Sequence, residues 1–214
     1  MNTKNNNEKP FFNQLEARVI ASLMEKHLTT PNNYPLTINS LILACNQKSN
    51  REPVMNLTEG QVGHTVNALK DRGLVGVDYG GRSNHISHRV MNVLQLNTKT
   101  QAILTVLMVR KPQTLNDIKA RTNRMADFAS IEEISELLNE MMQRDKPLVV
   151  RIPKSAGARE DRYSHLLCGE VDRQPKTVAP IIQQQSNSDA EITKLQQRLT
   201  ELEAKIEKLM QLLD

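Results

Sequence analysis

The 214-residue sequence has no tryptophan, three tyrosines, three phenylalanines and two cysteines. With aromatics at 3% and hydrophobic residues at 38%, a core has to be built from Leu, Ile, Val, Met and Ala. Cys45 and Cys168 are far apart and lack Cys-x-x-Cys spacing, so neither a zinc site nor a disulfide framework is indicated. Two small buried thiols in a reducing compartment are expected instead. No run of about 18 apolar residues occurs, and the opening MNTKNNNEKP lacks the apolar centre of a signal peptide. The expectation is a soluble, cytoplasmic protein without membrane attachment. A basic block is missing too: the net charge of +4 divides into +1 over residues 1–12, +2 over 13–91, +1 over 92–172 and 0 beyond. Charge alone therefore gives little support to nucleic-acid binding. No phosphate-cradling glycine loop, metal-ligand spacing or paired-acid motif occurs, so no enzyme, cofactor or metal is expected.

What is present is a repeat. Pro35, Thr37, Ile38, Asn39, Leu41 and Asn46 recur 77 places later as Pro112, Thr114, Leu115, Asn116, Ile118 and Asn123. Ser87-His88 recurs at the same shift as Ser164-His165. Neighbouring residues in a strand point to opposite faces, so these serines are poorly placed to use the histidines as bases, and duplication explains them better than catalysis. A unit of about 80 residues is a common size for a small helical domain.

Each copy reads as three helices and a hairpin. Leu15, Val19, Ile20, Leu23 and Met24 stand at helical spacing over 13–26, and Ala102, Ile103, Val106 and Leu107 do so over 98–109. The following loops differ by six residues, 27–34 being long and Arg110-Lys111 short. Thr37 and Thr114 stand as N-caps of the second helices. Capping boxes Thr58-x-x-Gln61 and Ser130-x-x-Glu133 open the third, with Val62, Val66, Leu69 and Ile134, Leu138, Met141 as buried stripes. Asp71-Arg72-Gly73-Leu74-Val75 and Asp145-Lys146-Pro147-Leu148-Val149 each stop a helix and start a strand. Gly80-Gly81 and Ser155-Ala156-Gly157 supply turns before return strands around 84–90 and 161–167. The pattern predicts a mainly α fold with small β-hairpin wings (α+β). A disordered N-terminus, 1–12, precedes two tandem winged helix-turn-helix domains, 13–91 and 92–172.

The tail differs in kind. Residues 173–188 carry two prolines and a Gln/Ser/Asn run, a linker composition. Over 189–214, Ile192, Leu195, Leu199, Leu202, Ile206, Leu209 and Leu213 alternate spacings of three and four, the seam of a coiled coil. The expectation is a homodimer through these residues. The other reading docks the helix on its own chain, since about three heptads are short for an independent coiled coil.

In winged helices the third helix often enters the major groove while the wing touches phosphate or the minor groove. In the first copy that helix turns His64, Asn67 and Lys70 outward, and the wing offers Arg82 and Arg89. The eleven residues 46–56 join helices two and three, where a helix-turn-helix needs about three or four. On this loop Lys48, Asn50 and Arg51 are candidates to contact phosphate or a carboxylate ligand; the alternative is a solvated loop. In the second copy the third helix carries Glu132, Glu133, Glu136 and Glu140, with Arg144 near its end, and such a face repels phosphate. On its wing Lys154, Arg159 and Arg162 lie among Glu160 and Asp161, where mutual ion pairing is expected.

The phrases Tyr34-Pro35-Leu36-Thr37, Ala44-Cys45-Asn46-Gln47-Lys48-Ser49-Asn50-Arg51-Glu52-Pro53-Val54-Met55 and Arg159-Glu160-Asp161-Arg162-Tyr163-Ser164-His165-Leu166-Leu167 resemble the YceH family of bacterial proteins over about residues 13–170. The resemblance implies tandem winged-helix domains and an uncharacterised function, and it transfers no catalytic residue.

Two functions follow as expectations. The leading one is a dimeric protein that binds double-stranded DNA through the first domain, as in a transcriptional regulator. The alternative is a non-enzymatic scaffold that holds another protein through the acidic second domain and the C-terminal helix. Sedimentation of the full chain against a truncation at Gln185 should show a dimer becoming a monomer. A monomer in both would leave the docked-helix reading standing.

Overall fold

Asparagine and threonine side chains start most of the helices. A computed structural model describes residues 10–80, 83–155 and 157–171. Helix α1 (Gln14–Thr29) begins at Asn13, which accepts from the Glu16 N–H while the Glu16 carboxylate accepts from the Asn13 N–H, both at 2.9 Å. It runs beyond Lys26, the expected end, and a 3-10 turn at Pro31–Asn33 leads to β1 (Leu36–Thr37). Thr37 caps α2 (Ile38–Cys45), and Thr58 with Gln61 forms the expected reciprocal box at the start of α3 (Glu59–Asp71). The hairpin β2 (Val75–Tyr79) and β3 (Asn84–His88) follows, and α4 (Val90–Val93) links the copies. The second copy runs α5 (Thr98–Val109), α6 (Leu115–Thr122), α7 (Ile131–Met142), β4 (Val149–Ile152) and β5 (Arg162–His165).

The 77-residue shift survives in three dimensions: α6 lies at that distance from α2 at both ends. Leu36 opposite Ile86 in the first sheet has its counterpart in the isolated bridge of Gln113 to Tyr163, again 77 residues on. Three details depart from the sequence reading. Strand β1 joins the edge of β3, giving an antiparallel order β1-β3-β2, because the residues before Thr37 are extended. The return strand ends at His88, since Val90 begins α4. At α7 the box is half made: Ser130 accepts from the Glu133 N–H, but the Glu133 carboxylate turns to the Ala129 N–H and to Lys99.

Helices α1 and α5 pack against each other and carry one continuous core. The run Ala17–Glu25 of α1 is buried throughout, as is Thr100–Val109 of α5. A helix buried on every side has partners on every side. Here each helix has its own copy on one flank and the other copy on the other. Ile20, Leu23, Met24, Ile103, Leu104 and Leu107 are all but completely enclosed, each worth about 1.5–3 kcal/mol relative to exposure. The stretch just before α1 joins the far end of the second copy, the Phe12 N–H donating to the Leu167 carbonyl at 2.8 Å, with the Phe12 ring fully buried.

Burying Glu25 in α1 requires a partner, and loop 46–58 supplies it. Arg51, 5% exposed, grips the Glu25 carboxylate with two nitrogens at 3.2 and 2.5 Å and donates to the carbonyls of Ala44 and Asn50. Arg18 in turn donates to the carbonyls of Cys45 and Pro53, and Asn46 exchanges two hydrogen bonds with the Leu57 backbone. The Glu52 N–H reaches the Val109 carbonyl at 2.8 Å, so the loop also ties the copies together.

Arg51→Ala would strand a buried carboxylate and should cost about 3–5 kcal/mol in urea unfolding. Lys111→Ala, which breaks the exposed 2.9 Å pair with Glu52, should leave the urea midpoint close to that of the parent.

Candidate nucleic-acid interface

Helix α3 offers the open face on which three of the candidates meet. Val62, Thr65, Val66 and Leu69 point into the core, so His64, Asn67 and Lys70 are exposed on the other side. Gly60 and Gly63 share that side, and a Cβ built on either would meet no atom within 4 Å. Packing therefore does not demand these glycines, although a helix interior disfavours them by about 0.5–1 kcal/mol each relative to alanine. Lys70 Nζ donates to the Tyr79 hydroxyl at 2.8 Å and lies 5.3 Å from the centre of that ring, which joins the end of α3 to the hairpin. That bond holds the Lys70 pKa above the usual lysine value. Arg89 is exposed at the base of the hairpin, and its guanidinium lies against Gly76, where a Cβ would stand 3.1 Å from two of its nitrogens.

The remaining candidates lie elsewhere. Arg51 is a correction: it is enclosed, and its donors are committed to Glu25 and to backbone carbonyls, so it does not face an external phosphate. Lys48 and Asn50 stay exposed, at the lip of a cleft of about 640 Å³ between the loop and the second copy. Arg82 lies outside the described residues, as do linker 173–188 and the heptad positions Ile192, Leu195, Leu199, Leu202, Ile206, Leu209 and Leu213. Arg110, Arg121 and Arg124, none of them a candidate from the sequence, join Lys48 at the cleft. The only hint of them there was the basic run near 119–124.

The second copy presents a different surface. Glu132, Glu136 and Glu140 are exposed along α7, while Glu133 pairs with Lys99. Arg144 donates to the carbonyls of Leu94 and Gln95, bracing the link between the copies. On the second hairpin Asp161 pairs with Arg151 and accepts from the Lys154 N–H, and Arg162 donates to the Pro112 carbonyl.

Between the copies lies a buried polar cluster. The His88 N–H donates to the Tyr34 hydroxyl at 2.7 Å, and the Gln101 amide nitrogen sits 3.1 Å from the Met24 carbonyl, 3.3 Å from His27 Nδ1 and 3.4 Å from His88 Nε2. Burial, and then the neighbouring His27, pushes the His88 pKa down to about 4; burial alone does the same to its counterpart His165. Burial raises the Tyr34 hydroxyl to about 12. In both histidines Nδ1 is buried without a hydrogen-bond partner among the described residues.

Comparison with known proteins gives consistent matches. Residues 12–158 match the family described as "Protein of unknown function, DUF480". A UPF0502 protein of Cellvibrio japonicus is 42% identical over 208 residues, covering 94% of this chain and 95% of that protein. One from Pseudomonas putida KT2440 is 46% identical over 156 residues (73% and 72%), and one from Vibrio campbellii 43% over 192 (86% and 88%). Among the described residues no helix is long and apolar enough to cross a membrane.

Since the folded pKa of each histidine lies below its unfolded value of 6.5, the unfolded chain binds protons that the folded chain refuses. Stability is full above that value and falls as pH drops toward 4. Urea unfolding at about pH 5 should show a loss of roughly 2 kcal/mol per histidine relative to about pH 7.5, and His88→Gln should remove one share of that pH dependence.

Proposed function

Because the chain belongs to the DUF480 family, whose UPF0502 members carry no assigned activity, we propose from its surface that it is a non-enzymatic protein that binds double-stranded DNA. In this reading the two copies are tandem winged helix-turn-helix units. Helix α3 enters the major groove, and the β2–β3 hairpin is the wing. A regulator of transcription, acting as a dimer through the heptad tail, is the form it would take.

The open face of α3 supports the reading. Two glycines with free space above them let a groove wall or phosphate approach the helix backbone closely, at a known cost in helix propensity. His64 and Asn67 are side chains that hydrogen-bond base edges, and Lys70 and Arg89 suit flanking phosphates. The second copy is the lesser contributor, because the exposed carboxylates Glu132, Glu136 and Glu140 repel a phosphate backbone. Those same carboxylates favour the second reading, in which α7 holds a basic protein partner.

Fluorescence anisotropy of the full chain with random duplex DNA should show binding that weakens steeply as salt rises, with Lys70→Gln lowering the log–log slope by about 1. Gly63→Ala should stabilise the fold by about 0.5–1 kcal/mol yet weaken DNA binding. Absent or salt-independent binding would sink the reading, and undiminished binding by the stabilised Gly63→Ala protein would move the contact away from α3.

A further inference from the structure

The cleft beside loop 47–50 shares no residue with the α3 face. Lys26 enters it from the end of α1, Lys48 from the loop, Arg110 from the end of α5, and Arg121 and Arg124 from the end of α6. These elements belong to different copies, so the convergence exists only in the packed duplicate. Among the described residues Glu25 is the only carboxylate lining it, and Arg51 already holds both of its oxygens. The other cations are poorly neutralised. Lys26 has its carboxylate neighbour Glu25 at 4.0 Å, and Arg121 has Asp117 at 3.7 Å. Lys48 and Arg124 are exposed and pair with no carboxylate among the described residues. Like charges gathered in a concavity repel one another and raise the local concentration of counter-ions.

Arg110 is the most specific element. Its Nη2 donates to Asn50 Oδ1 at 2.7 Å, but Nη1 is buried and finds no acceptor among the described residues. A guanidinium N–H left without an acceptor is costly and points to a ligand that provides one. Burial first, and then Arg121, lowers the Arg110 pKa, with Glu25 and Glu52 acting against the shift. Asn50 orients it from a left-handed conformation, φ 60°, in which its carbonyl also accepts from Arg51. Among the described residues no aromatic ring lines the cleft to serve as a platform for a stacked base. A volume of about 640 Å³ falls in the range of small-ligand sites.

We propose that this cleft binds a small, multiply charged phosphate compound, of the size range from pyrophosphate to a sugar bisphosphate, with Arg110 and Lys48 clamping it from one side and Arg121 and Arg124 from the other. Arginine forks match phosphate oxygens in pairs, and lysine adds a point charge. An occupant there bridges loop 46–58 of the first copy to α6 of the second, so it acts on the relative placement of the copies.

Isothermal titration of the full chain with sodium pyrophosphate tests this, with sodium chloride and sodium sulfate at matched ionic strength and sodium citrate as comparators. Saturable binding of one pyrophosphate per chain is expected, about tenfold or more weaker in the Lys48→Gln/Arg124→Gln double variant and accompanied by a rise in Tm. Both residues are exposed, so the variant should unfold at the same temperature as the parent without ligand. Arg110→Gln should weaken binding further. Three results would overturn the proposal: no saturable binding at millimolar pyrophosphate, equal affinity in the double variant, or citrate binding more tightly than pyrophosphate. Duplex DNA titrated into the same variants separates this site from α3. If Lys48→Gln/Arg124→Gln lowers DNA affinity while pyrophosphate fails to bind, the cleft is part of a DNA surface and the small-anion site is rejected.

Discussion

The packing of α1 against α5 is the constraint from which the rest of the structure follows. Each copy completes its core with the other's first helix, in one continuous and mostly aliphatic cluster. Helices enclosed on all sides cannot point their polar residues at water. Arg18, Glu25 and Gln101 are polar groups carried inside by that choice, and each shapes something nearby. Glu25 draws in Arg51 and with it loop 46–58. Arg18 holds the same loop by its carbonyls, and Gln101 gathers the ring nitrogens of His27 and His88. The inner side of the loop is thus set by burial in α1, while Lys48 and Asn50 on its outer side stay exposed.

Duplication also explains why the two copies look alike inside and unlike outside. The caps Thr37 and Thr114, the pairings Leu36–Ile86 and Gln113–Tyr163, and His88 with His165 keep the 77-residue shift, where the chain lies against the shared core. No such coupling acts on the free sides of α3 and α7. With Thr58 aligned to Ser130, Gly60 and His64 of α3 correspond to Glu132 and Glu136 of α7, while Gly63 corresponds to Ser135 and Asn67 to Asn139. The basic cleft belongs to neither copy alone, which makes it a property of the association.

Much of this was legible in the sequence wherever local chemistry decides the outcome. Threonine caps, the Thr58–Gln61 box and the apolar stripes of α3 and α7 announced their helices because each is satisfied within four residues. Legibility failed where the partner is remote. Arg51 and Lys48 sit three places apart in one polar stretch and look equivalent there. What separates them is Glu25, 26 residues before Arg51 and visible only after α1 is packed. Arg110, Arg121 and Arg124 could not be assigned to Lys48 from a string in which they stand some 60 residues or more away. Strand β1, two residues long, has no period to read, and the half-made box at Ser130 reflects a tertiary competitor, Lys99, for the same carboxylate.

The hydrogen bond from Phe12 to Leu167 closes the described part of the chain on itself. The first copy begins where the second ends, and α4 bridges the other junction, so the pair forms a ring cut open at one point. Nothing in the packing records where that cut was made. A chain with its copies in the opposite order, joined by a short link from the Leu167 region back to Phe12 and opened near α4, would bury the same residues. The order of the copies along the chain is therefore not set by this packing, while their adjacency is.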